Sequence, residues 1–164
     1  MLLYNFIMIV FIAILICQVA ALSCVSQTGE PVSWWIVLKV PPKYGTNSYG
    51  YYDSTMKTGQ LQYFNSMLDI AKSPLTNTFD SFNLNEYSRV AWNDEKPNGQ
   101  TTSSGAHSKG VIGFDQTNKT GFFFSHSIPK YPDFSNKNIV PKIGSSEQYY
   151  GQHLSCFSMN LNEL

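Results

Sequence analysis

A chain of 164 residues has the length of one domain. Its eleven basic and eleven acidic residues cancel, and only 13% of the chain is charged against 15% aromatic. That balance excludes a general electrostatic grip on nucleic acid at neutral pH, which shows as a basic excess, and it leaves three histidines as the positive charge that mild acidification adds.

Residues 1–22 contain no charged side chain and end in small residues, Ala20, Ala21 and Ser23, just before Cys24. The pattern predicts a secretory signal peptide over 1–21, cut after Ala21; the competing reading is an uncleaved apolar anchor. Cleavage removes Cys17 and leaves Cys24 and Cys156, which in an exported chain predicts one disulfide closing a loop of 132 residues. The chain-entropy model puts such a closure at about 5 kcal/mol.

The run 34–40, Trp-Trp-Ile-Val-Leu-Lys-Val, is β-rich and almost continuously apolar until Pro41, and reads as a central strand buried on both faces. Residues 43–58 read as a loop. Their Tyr49, Tyr51 and Tyr52 read as packing residues before base-stacking ones. Ser73-Pro74 gives an N-cap and a first helical residue, and Leu75, Phe79 and Phe82 recur at helical spacing. A short strand is expected over 89–92 and a polar loop over 93–105. Residues 110–115 and 121–126 form two strands around a turn near Asn118, an antiparallel hairpin that sets His126 across from about Gly110. The segment 129–146 reads as loop and 149–159 as a last strand. Asn118-Lys119-Thr120 is a glycosylation sequon. The architecture expected is mixed α/β, a sheet flanked by helices.

The chemistry rests on Ala106-His107-Ser108-Lys109-Gly110. Side chains two apart on a strand share a face, so His107 and Lys109 are expected to point together, with His126 nearby. A histidine serves a phosphodiester as nucleophile on phosphorus or as acid to the leaving oxygen. A lysine neutralises the non-bridging oxygens. Gly105 and Gly110 leave room for a phosphate near the backbone. Asp53, Asp69 and Asp94 are isolated in sequence and read as turn or solvent-facing residues. His153 reads as structural.

The chain resembles the deoxyribonuclease II family, acid endonucleases of the phospholipase D-like superfamily. The residues that carry the resemblance are Leu22-Ser23-Cys24, the run from Gly29 to Pro41, Tyr52-Asp53, Trp92-Asn93-Asp94-Glu95, His107-Ser108-Lys109-Gly110-Val111, Asp115, Gly121-Phe122, His126-Ser127-Ile128-Pro129, Tyr150-Gly151-Gln152 and Cys156. The resemblance implies catalytic roles for His107, Lys109 and His126, a disulfide between Cys24 and Cys156, and a fold like one half of a phospholipase D-like domain. It implies hydrolysis of DNA at acid pH without metal or cofactor, through a phosphohistidine, leaving 3′-phosphate ends, in a secreted or lysosomal setting.

Family members resemble two such halves, each giving one H-x-K to a shared site. These residues contain one; His153 is followed by Leu154-Ser155 and supplies no lysine. The second pair is therefore expected from a missing carboxy-terminal half or from a homodimer partner, an isologous pairing that repeats His107 and Lys109 across a two-fold axis. The alternative is a secreted, non-catalytic DNA-binding or interaction protein derived from the nuclease, contacting the phosphate backbone without turnover.

Overall fold

The computed structural model describes residues 21–163 apart from 42–47, 67, 69–71, 83–86, 102, 103, 105, 135–142 and 144–146. The segment 1–20, Gly105 and Asp69 lie outside the described residues. Among the described residues no helix is long and apolar enough to cross a membrane.

Among the described residues nine strands form in chain order: β1 (Cys24–Val25), β2 (Pro31–Val32), β3 (Trp34–Lys39), β4 (Tyr49–Asp53), β5 (Gln62–Phe64), β6 (Ser88–Asn93), β7 (Lys109–Asp115), β8 (Thr120–His126) and β9 (Gln152–Asn160). Among the described residues one α-helix, α1 (Pro74–Asp80), lies between β5 and β6. Strands β5-β4-β3-β9-β8-β7-β6 make one seven-stranded sheet, every pair antiparallel. The expected mixed fold is present, but it is dominated by this antiparallel sheet. The expected flanking helices are corrected to a single described α-helix.

Burial alternates along most of β3, β7, β8 and β9, and the described residues cover one face of the sheet. Trp35 and Val37 of β3, Tyr49 and Tyr51 of β4, Val111 of β7, Phe122 and Phe124 of β8, and Leu154 and Cys156 of β9 are buried together with Leu75 and Phe79 of α1. The opposite face leaves Leu38, Val90 and Phe157 exposed. This corrects the reading of β3 as buried on both faces. It also corrects the loop expected over 43–58: β4 runs through it, pairing Val37 with Tyr51. Its Tyr49 and Tyr51 are core residues, as expected.

Helix α1 forms where the sequence indicates. Ser73 Oγ accepts the Thr76 amide (3.0 Å) and Thr76 Oγ1 accepts the Ser73 amide (3.0 Å), a reciprocal cap that satisfies two otherwise unpaired donors. Thr78, fully buried, ties the helix to the sheet. Its Oγ1 accepts from the Val25 amide (2.9 Å) and from Trp35 Nε1 (3.1 Å). Cys24 and Cys156 are joined, Cα–Cα 5.9 Å, which fastens β1 to the middle of the sheet.

Candidate active site

The β7–β8 hairpin sets the register. Gly110 pairs with Ser125, which puts His126 level with Lys109, one residue from the expected position. Lys109, Val111 and Gly113 face the covered side with Phe122, Phe124 and His126. β6 ends alongside: Asn93 pairs with Lys109. The Asn93 side chain accepts the Glu95 amide (2.8 Å) and donates to the Tyr131 carbonyl (2.7 Å), which fixes the turn that carries Asp94.

Asp94 is the residue that joins the H-x-K pair. One carboxylate oxygen takes His107 Nδ1 at 2.7 Å and the other takes the Lys109 ammonium. The lysine side chain is 2% exposed and the histidine 81%. The chain thus offers an imidazole to solvent while burying the ammonium behind the shared carboxylate. The Lys109 hydrogen bond holds the Asp94 carboxyl below the usual carboxylate range, with help from the positive charges of Lys109 and His107. Asp94 does sit in a turn, as one expected reading had it, but its carboxylate faces His107 and Lys109, which corrects the solvent-facing reading. The bridge also corrects the expectation that His107 and Lys109 point together from one strand: β7 begins at Lys109, and the two meet through Asp94 instead.

Gly110 is needed for a different reason from the one expected. A Cβ there would collide with the Trp92 indole and sit 2.6 Å from the Phe124 carbonyl oxygen. The space goes to Trp92, whose Nε1 donates to Ser108 Oγ at 2.9 Å and so pins the residue between His107 and Lys109.

His126 is buried, stacked on Phe124 (centroids 5.0 Å) and edge-on to Tyr131 (5.1 Å). Its Nδ1 accepts the Ile128 amide at 3.2 Å, so the proton of the neutral ring sits on Nε2. Nε2 is buried and has no hydrogen-bond partner among the described residues. Burial pushes the imidazole pKa down to about 3, and the charges of Lys109 and His153 push the same way. His153 itself is exposed on the uncovered face, not structural as expected. Asn118 is exposed in the hairpin turn, its side chain donating to Asp115 at 2.6 Å.

Beside His107 lies an open cleft of about 600 Å³, lined also by Ser127, Lys130, Glu147, Tyr150 and Gln152. Sequence reading passed over Asp94 and this cleft as places of chemistry; the Trp92–Glu95 and Tyr150–Gln152 blocks were their only signals.

Residues 23–164 match the family described as Deoxyribonuclease II. The chain is similar to deoxyribonuclease-2-alpha of Bos taurus, at 29% identity over 92% of this chain and 44% of the relative. It is similar to plancitoxin-1 of Acanthaster planci, at 27% over 94% and 45%. Cell death-related nuclease 6 of Caenorhabditis elegans is 31% identical over 86% of this chain and 39% of the relative. The chain spans less than half the length of each of these relatives. Matched over nearly its whole described length, through the turn that carries Asp94 and the hairpin that carries Lys109 and His126, the chain belongs to the deoxyribonuclease II family.

Proposed function

We propose that this chain supplies one half of the active site of an acid endodeoxyribonuclease, with residues 22–164 as the working half-domain and 1–21 as a leader removed on export. The observation that carries the reading is the Asp94 bridge. A carboxylate that accepts Nδ1–H leaves the Nε2 lone pair of His107 directed outward and steadies the imidazolium that forms when Nε2 reacts.

His107 Nε2 attacks phosphorus, the bond from phosphorus to the 5′ oxygen breaks, and that oxygen leaves as an alcohol after taking a proton. Water then attacks the phosphohistidine and releases a 3′-phosphate end. Lys109 keeps Asp94 ionised and aligned, and its ammonium reaches the non-bridging oxygens when it turns from Asp94 toward the phosphate. No cofactor takes part. His126, with a pKa of about 3, remains neutral near pH 5 and is not the proton donor. Its role is that of a neutral N–H donor behind Lys109. The protonated imidazole comes from a second H-x-K, in a carboxy-terminal half or a second copy of this chain.

The Cys24–Cys156 bond supports a secreted or lysosomal setting. The exposed Asn118 supports glycosylation there.

Supercoiled plasmid incubated near pH 5 is the test. Cleavage to 3′-phosphate ends, abolished by His107→Ala, is expected. Cleavage that survives His107→Ala overturns the proposal; a chain that sediments as a monomer and cuts at no pH removes a second copy as the source of the second H-x-K. DNA binding without cleavage leaves the non-catalytic binding reading in its place.

A further inference from the structure

We propose that the cleft beside His107 is a subsite for one unstacked nucleotide next to the scissile phosphate, with Tyr150 stacking its base and Gln152 donating to it; this rests on the nuclease reading above. Three observations place it.

The first is the aromatic itself. Tyr150 lines the cleft with His107 and is 63% exposed. An exposed ring at a cleft rim is a sequence-tolerant stacking platform, since every base has a π-face.

The second is what holds that ring in place. Lys39, buried at the end of β3, donates from Nζ to the carbonyls of Gln148 (2.8 Å) and Tyr150 (2.7 Å), and more weakly to that of Glu147 (3.4 Å). A buried cation on three carbonyls fixes the 3-10 turn Glu147–Tyr149 and the residue after it. The ring is therefore presented from a rigid turn, which lowers the ordering cost of binding.

The third is a directed donor pair. Ser127 Oγ accepts the His153 amide at 3.0 Å, so its hydroxyl proton is free to donate, and it goes to Gln152 Oε1. That assigns the amide orientation of Gln152: oxygen toward Ser127, NH₂ away from it. Gln152 is buried at the sheet end and lines the same cleft. Its two N–H groups are thus available to an acceptor on a base or sugar. Two carboxylates line the cleft, Glu95 and Glu147; Glu147 lies 3.7 Å from Lys130 Nζ, which offsets its repulsion of a nucleotide, and His107 on the same wall adds positive charge when protonated.

A base reaches a side-chain platform only outside the duplex stack. The subsite therefore takes a base that has left the stack next to the scissile phosphate, in duplex as in single-stranded DNA.

Fluorescence anisotropy at pH 5 with a labelled oligothymidylate, and with an abasic phosphodiester of the same length, tests this on the full chain. The expected result is about tenfold tighter binding of the thymidylate. Tyr150→Leu and Gln152→Leu should erase or reduce that preference without weakening the abasic strand. Tyr150→Phe should keep it. Tyr149→Leu should also keep it, because Tyr149 is equally exposed on the same turn but does not line the cleft. Equal binding of both strands, or a preference that survives Tyr150→Leu, overturns the subsite and leaves the nuclease reading standing. Failure to bind either strand overturns both.

Discussion

The two ends of the seven-stranded sheet are built on opposite terms. Where β7 begins and β8 and β3 finish, the covered face holds Lys39, Lys109, His126 and Gln152, all buried and polar. From its middle to the β7–β8 turn the sheet is closed by its own chain. The Cys24–Cys156 bond and Thr78 fasten β1 and α1 to it, and the β7–β8 turn satisfies Asp115 locally through the amides of Thr117 (2.8 Å) and Asn118 (3.1 Å). Two carboxylates show the contrast. Hydrogen bonds hold both Asp115 and Asp94 below the ordinary carboxylate range, Asp115 by donors two and three residues away, Asp94 by a buried lysine and an exposed histidine further along the chain. One end satisfies its polar groups by local turns and a covalent staple. The other spends stability on charges and an unpartnered N–H, the pattern expected of a site that awaits a ligand.

The largest effect comes from breaking the stapled end. Replacing Cys24 and Cys156 with Ser releases a loop of 132 residues and is expected to cost about 5 kcal/mol, read by urea unfolding as a lower midpoint with a steeper slope. A loss under about 1 kcal/mol would mean that β1 is held by its hydrogen bonds instead. Next in size is Asp94→Ala at the site end. It leaves the Lys109 ammonium buried without its carboxylate, and a loss of about 3 kcal/mol at pH 7 is expected. The folded-state carboxyl is depressed, so its contribution is present above the unfolded value near 4 and disappears as pH falls through the folded one. The variant and the parent should therefore begin to converge in stability below about pH 4 and meet only below the folded-state value. The two lesions share no partner, so combining them should give additive losses to within about 0.5 kcal/mol.

What the sequence revealed divides along the same line. Local signals were legible. Ser73-Pro74 marked the start of α1, and the turn at Asn118 fixed the hairpin register to within one residue. Cys24 and Cys156 foretold the staple. The site end was less legible because its contacts are between elements. Asp94 finds Lys109 fifteen residues later, and nothing in spacing alone separates it from Asp53, which serves its own turn by accepting the Thr55 amide at 2.7 Å. The apolar run of β3 concealed its alternation, since Leu38 carries the same hydrophobic letter as buried Val37 yet lies on the uncovered face. β4 was hidden by its Gly- and Tyr-rich composition, and only pairing with β3 makes it a strand. The burial of His126 was invisible for the same reason: it depends on Phe124 beneath the ring and Tyr131 at its edge.

The smallest effect separates the two ends by pH alone. His126 has its folded pKa pushed down to about 3, while the unfolded chain protonates near 6.5. Between those values the unfolded state binds the extra proton, so stability rises with pH across the window and falls on acidification. Going from pH 7 to pH 5 should cost about 2 kcal/mol through this residue, from 1.36 kcal/mol per unit over about 1.5 units. His126→Phe fits the aromatic pocket and removes the titration, so its stability curve should be flat over that range. A parent curve already flat between pH 7 and 5 would show that the buried ring does not resist protonation as its packing implies. Should a short DNA strand restore the lost stability in the parent but not in His126→Phe, the unpartnered Nε2–H has found its acceptor in the substrate, and the cost carried by the site end is repaid on binding.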